Sequence, residues 1–233
     1  MASFRKEILG QIERIDTGRI FTFRDLSFET EKTANVAVLL SEQSRKGVLV
    51  RVEKGAYYRP KKAGLGLGKL SVYQDEQFRY LTEKLNGYIT GAYIYNKMGL
   101  TEQVATTITI ATPNPVRRFR FKNLDIECVK AYCMVYPDES LVPYLRLLDA
   151  IKDMKRIPGT AGQDIYNRVK SQYFNGYSLP ELEKIVSLAK SYPPRVRKVV
   201  ADILGDIRQT VLQTEMAKTI LPTTRFNLDY KTA

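Results

Sequence analysis

The sequence predicts an α+β protein: an N-terminal winged helix-turn-helix, then a mixed domain with a small sheet and a helical C-terminal half. Three observations predict it. The first 62 residues run helix, short strand, helix, helix, hairpin. Three mid-chain stretches, "ATTITIAT" (105–112), "RRFRF" (117–121) and "LDIECVKAY" (124–132), have the composition and alternation of strands. After Ser140 the apolar residues recur every three or four positions, the period of a helix. The expected domains are a winged helix over 1–62, a linker over 63–72 and an α+β domain over 73–233.

Taken in order, Phe4, Ile8, Leu9, Ile12 and Ile15 share one helical face, with Ser3 as N-cap and Gly18 as the stop. Ile20 and Phe21 suit a short strand, and Thr22 caps a turn of helix through Leu26. "TANVAVLLSEQSRKG" (33–47) reads as a third helix closed by Gly47. Val48 to Glu53 alternates as a strand, with Val48, Val50 and Val52 on one side and Leu49, Arg51 and Glu53 on the other. Lys54-Gly55 supplies the turn, Ala56 to Arg59 the return strand, and Pro60 stops it. Of Tyr57 and Tyr58, one should pack on the helices and the other face outward.

Past the joint, residues 73–86 form a helix and "GYITGAYIYNKMGL" (87–100) a short helix between glycines; the three strands build one sheet. One helix is marked by Leu141, Leu145, Leu148 and Ile151, and a second by Ile165, Val169 and Tyr173. A third starts at Ser178 and Pro180 and carries Leu182, Ile185, Val186 and Ala189. The run from Val196 through Ile203 and Ile207 to Val211 reads as a fourth, and the tail "LPTTRFNLDYKTA" as extended or loose.

Composition narrows the function. The chain has 233 residues, 44% hydrophobic and 27% charged, which supports a packed core. No apolar run is long enough to span a bilayer, and "MASFRKEILGQIERID" lacks the apolar block of a signal peptide, so a cytoplasmic protein without a membrane partner is expected. Histidine is absent, which removes Ser-His-Asp and Cys-His triads and HExxH zinc sites. Cys128 and Cys133 are too few for a zinc site and read as packed thiols. Asp125 and Glu127 share a strand face, as a magnesium or acid–base pair would, but ion pairing with Lys122 and Lys130 explains them as well. Neither a cofactor nor catalysis is expected.

The net charge of +12 favours an anionic partner, and its distribution is more telling. Between residues 45 and 62, Arg45, Lys46, Arg51, Lys54, Arg59, Lys61 and Lys62 face the single acid Glu53. The adjoining "KKAGLGLGKL" is not a nucleotide cradle. A P-loop would need glycine where Ala63 stands and Ser or Thr where Leu70 stands. A dinucleotide turn fails at Lys69 or at Ser71, so a basic glycine linker remains.

The third helix and hairpin have the features that a duplex reader requires. Val36, Leu39 and Leu40 turn inward, leaving Lys32, Thr33, Asn35, Ser41, Gln43, Arg45 and Lys46 outside. Asn and Gln pair with adenine edges and Arg with guanine. Arg51, Lys54 and Arg59 of the wing, with Lys61 and Lys62 of the linker, are placed for phosphate. The alternatives are a solvated hairpin, or a winged helix that docks protein and not DNA.

"GVLVRVEKGAYYRP" resembles the G-x-L-x-R-V-x-x-G-x-Y wing signature of bacterial antitoxin-type regulators. "NGYITGAYIYNKMGLTEQVATTITIATP" resembles the segment C-terminal to the wing in the AbiEi-like group, with Ala92 one place from the expected glycine spacing and Tyr93 and Tyr95 in place of smaller residues. "LPTTRFNLDY" is similar to that family's closing segment. The resemblance implies a type IV antitoxin and autorepressor. Its winged helix would bind inverted repeats in its own promoter, and its second domain would counter a nucleotidyltransferase-like toxin encoded beside it.

Residues 155–198 are basic again, through Lys155, Arg156, Arg168, Lys170, Lys184, Lys190, Arg195, Arg197 and Lys198. They suit a second nucleic-acid surface, an acidic protein partner or simply solvated helix faces. In "RRFRF", Phe119 and Phe121 are expected to be buried and the arginines wet, against the alternative of an RNA-stacking sheet.

Overall fold

The computed structural model describes residues 2–61, 71–133 and 138–226, and places them in two compact units, Met1–Glu83 and Lys84–Ala233. The protein is α+β. The glycine-rich segment 62–70, with Lys62, and the tail from 227 lie outside the described residues.

In the first unit, α1 (Ala2–Arg14) begins a residue before the expected cap at Ser3. It is followed by β1 (Ile20–Thr22) and by a single 3-10 turn, Phe23–Asp25. Thr22 and Asp25 cap that turn reciprocally: the Thr22 hydroxyl accepts from the Arg24 amide, and Asp25 accepts from the Thr22 amide. A second 3-10 turn, Thr30–Lys32, leads into α2 (Thr33–Arg45), which Gly47 closes in the left-handed region at φ +73°. Then come β2 (Val50–Glu53), the Lys54-Gly55 turn and β3 (Ala56–Tyr58). The sheet order is β1-β3-β2, all antiparallel, with a bulge between Arg51 and Glu53. This order is consistent with a winged-helix start whose middle helix is reduced to one turn.

Ile8 and Ile12 of α1, Phe21, Leu26, the Val36–Leu39–Leu40 face of α2, Leu49 and Tyr57 form its core. Three details refine this picture. Leu49, not Val48, is the inward residue before the wing, because the Val48 and Leu49 amides both fold back onto the Gln43 carbonyl and rotate the chain before pairing begins. Gln43 is buried, not outward. Tyr57 and Tyr58 are both buried, so neither is available to a phosphate backbone.

The division between the two units falls after Glu83. Helix α3 (Gln74–Leu85) reaches the boundary, and its first two turns serve the N-terminal sheet. Glu76 Oε1 accepts from the Ile20 amide at 2.6 Å, and Arg79 donates to the Ile20 carbonyl at 2.9 Å. Side chains thus satisfy backbone groups of an edge strand that would otherwise be open to pairing. Tyr80 donates to Glu53 on β2, the other edge strand.

The second unit contains a four-stranded sheet, not three: β4 (Tyr88–Thr90), β5 (Thr107–Thr112), β6 (Arg118–Phe121) and β7 (Leu124–Lys130), in the order β4-β5-β7-β6. β5 and β7 run parallel and the outer pairs antiparallel. Gly91 turns the chain from β4 into α4 (Ala92–Lys97) at φ +75°, where a Cβ would lie 2.6 Å from the Thr109 hydroxyl. The helical half comprises α5 (Val142–Asp153), α6 (Gly162–Gln172), α7 (Leu179–Ala189), α8 (Pro194–Asp206) and α9 (Thr210–Ala217). The expected fourth helix is therefore two, separated where Arg208 adopts φ +61°. Among the described residues, no helix is long and apolar enough to cross a membrane.

Candidate nucleic-acid interface

Helix α2 has one buried face and one open one. Val36, Leu39, Leu40 and Gln43 are inward. At about 100° per residue, Ala34, Val38, Ser41 and Arg45 fall within about 60° of one another on the opposite side. Ala34, Val38 and Arg45 are exposed and Ser41 is half-buried. Asn35 and Lys46 are exposed along one flank of this stripe. The one acid of the helix, Glu42, is held by Arg5 of α1 at 2.5 Å. That pair keeps the Glu42 carboxyl below the usual carboxylate range, with weaker help from Lys46 and Arg45. The acid is neutralised from the side, and the cations remain.

Because α2 runs into the wing through the Gln43 carbonyl, Arg45 and Lys46 stand at the junction of helix and hairpin. Arg51 and Lys54 are exposed on the wing, and Arg51 Nε donates to the Glu53 carbonyl at 3.2 Å, across the bulge. Among the described residues, none of these four cations has a carboxylate within ion-pair distance.

The other expected contacts have different employment. Arg59 is half-buried, and its Nη1 donates to the carbonyls of Glu13 and Ile15 at 2.7 and 2.8 Å. It therefore caps the C-terminal end of α1, where a cation also meets the favourable end of the helix dipole. Lys32 pairs with Glu29 at 2.7 Å and lies 5.1 Å from the Phe4 ring. The Thr33 hydroxyl donates to the Thr30 carbonyl at 2.6 Å, fixing the entry to α2. Lys61 sits 5.8 Å from the ring of Tyr73. The structure thus brings Asn35, Ser41, Arg45, Lys46, Arg51 and Lys54 onto helix and wing, and ties Lys32, Thr33 and Arg59 into the scaffold.

Sequence reasoning missed Val38. It is 57% exposed, whereas Val36, Leu39 and Leu40 are buried. The signal was its helical position, since i+2 from Val36 points away from the core.

The two other candidates are resolved by partners within the second unit. Arg118 pairs with Glu127 at 2.5 Å and Arg120 with Asp125 at 3.9 Å, directly across the β6–β7 pair. Phe121 is buried and Phe119 half-buried, with the Arg117 guanidinium 5.1 Å from its ring. The carboxylates are cross-strand partners of the arginines, not of Lys122 and Lys130. Of the basic helical residues, Arg168 and Arg197 bond to the carbonyls of Gly99 and Thr219. Lys170, Lys190 and Lys198 pair with Asp206, Glu215 and Asp202. Both thiols are unbridged, and burial pushes each up.

Among solved structures, the chain is similar to the crystal structure of RV2827C protein from Mycobacterium tuberculosis, at 13% identity and a TM-score of 0.49, over 95% of this chain and 83% of that one. No curated protein matches it. Residues 7–133, which hold the whole helix-and-wing face and the sheet through β7, match DUF6088, a family of unknown function, and the chain belongs to that family.

Proposed function

We propose that the protein is a double-stranded-DNA-binding regulator, acting in the cytoplasm with α2 in the major groove and the β2–β3 wing on the adjoining backbone. The observation that carries this reading is the set Arg45, Lys46, Arg51 and Lys54, exposed along the helix-to-wing junction with no acidic partner among the described residues. Exposed cations that serve no ion pair of their own favour a polyanion. Asn35, on the same helix, adds a side chain suited to an adenine edge.

The antitoxin role is the finer part of the proposal and rests on the resemblance of residues 86–113 to AbiEi-like proteins. It makes the operator an inverted repeat in the protein's own promoter, and the cognate toxin a nucleotidyltransferase-like neighbour. Fluorescence anisotropy with the duplex upstream of its own gene tests the DNA reading. Four phosphate contacts give a log-log salt slope of roughly −4 per chain. Arg51→Glu weakens every duplex, whereas Asn35→Ala relaxes sequence preference. A flat salt response, or binding untouched by both variants, would remove this face from the interface. Co-expression with the adjacent gene tests the antitoxin role: growth arrest that this protein does not relieve rejects it.

A further inference from the structure

We infer that Val38, together with Ala34, reads the C5-methyl group of a thymine in the major groove, and so selects a T·A pair at one position of the operator. This inference rests on the DNA-binding reading and makes it specific. Val38 lies in the middle of α2 on the stripe opposite the core and is 57% exposed. A valine left that far in water loses most of the benefit of burial unless something covers it. On the helix surface it is bordered by Ala34 at i−4 and Ser41 at i+3, both small, with Asn35 at i−3 and with Glu42 at i+4 paired to Arg5 of α1.

The charge around Val38 identifies the occupant. Asn35 and Lys46 flank the stripe, Arg45 continues it, and Glu42 is neutralised by Arg5. An apolar protein surface would have to desolvate these cations without compensation, whereas a duplex supplies phosphates for them. The one apolar group that DNA presents in the major groove is the thymine methyl, and contact with small aliphatic side chains is its usual mode of recognition. The first two turns of a recognition helix lie closest to base edges, and they contain both Ala34 and Val38.

The test works on an unidentified operator. The full chain selects bound sequences from a random duplex pool, and each thymine of the selected site is then replaced, one at a time, by deoxyuridine, which deletes only the methyl. At one thymine per half-site, the exchange should weaken wild-type binding about fourfold, the worth of one buried methyl group. Val38→Ala should bind the thymine duplex more weakly and be indifferent to the exchange at that position; Val38→Ile should keep the discrimination. Because Val38 is exposed, these variants are expected to fold, which circular dichroism checks. If a sequence is selected but no exchange matters, or if Val38→Ala discriminates like the wild type, the inference falls while the DNA reading stands. If no sequence is selected, both fall. Dissociation of a DNA-free dimer by Val38→Ala would show that a second copy covers this residue, and would overturn the inference.

Discussion

A cation near the wing either holds the fold together or is available to a ligand, and its hydrogen bonds separate the two cases. Arg59 makes two bonds to the carbonyl end of α1, so Arg59→Ala should lower stability by about 1–2 kcal/mol, read as a shifted urea midpoint. The salt slope of DNA binding should stay unchanged. Lys54→Ala should do the reverse, with an unchanged midpoint and a slope smaller by about one. Equal effects of both substitutions on both measurements would reject the division. Spacing in the sequence located these cations but not their partners, since the Arg59 contact closes over 46 residues of chain. Gln43 misleads for another reason. Its polarity suggests solvent, but its register with Val36 and Leu40 puts it on the buried side, where its backbone carbonyl receives the start of the wing. At positions like these, helical phase decides over residue type.

Each element was most legible where its termini are written locally. The Ser178 hydroxyl and amide both bond to Glu181, forming the capping box of α7 that Ser178 and Pro180 announce. Ser178→Ala should cost about 1 kcal/mol, while Ser178→Thr, which keeps a hydroxyl to donate to Glu181, should retain most of it, by chemical denaturation. Two elements were not legible. β4 is three residues long and wholly buried, so it shows no alternation for a period argument to find. Its existence is tied to Gly91, whose conformation and contact with Thr109 both exclude a side chain. Gly91→Ala should therefore destabilise the second unit by more than about 1 kcal/mol, and a neutral result would mean that the β4–α4 corner relaxes freely. The break between α8 and α9 has neither Gly nor Pro at its centre. The apolar period runs on from Ile203 through Ile207 to Val211, but Arg208 leaves the helical region and Val211 ends up 78% exposed. Tertiary packing overrides the period there.

At the scale of the whole molecule, the proposed function divides the excess of positive charge between a ligand and the fold. The second unit binds many of its cations to its own carboxylates and carbonyls, so Lys170→Gln together with Lys190→Gln should leave the salt slope of DNA binding unchanged. A reduced slope would place DNA on that unit as well. The same unit also buries a carboxylate with polar company. Asp149 is 1% exposed and accepts from Tyr88 at 2.8 Å, Thr90 at 2.9 Å and Tyr192 at 3.2 Å. Burial pushes its carboxyl above the usual range, against the opposing pull of Lys152. The folded state therefore keeps a proton that the unfolded chain releases at about pH 3.9. Between that value and the raised folded one, the native state binds more protons than the unfolded state, so this group's contribution to stability falls as pH rises. Asn at the position does not titrate. The stability difference between wild type and Asp149→Asn, from urea midpoints measured between about pH 4 and pH 8, should thus be most favourable to the wild type at the acid end and shrink towards neutrality. A difference that instead grew with pH would mean that the three hydroxyls and Lys152 outweigh burial and hold the carboxylate ionised.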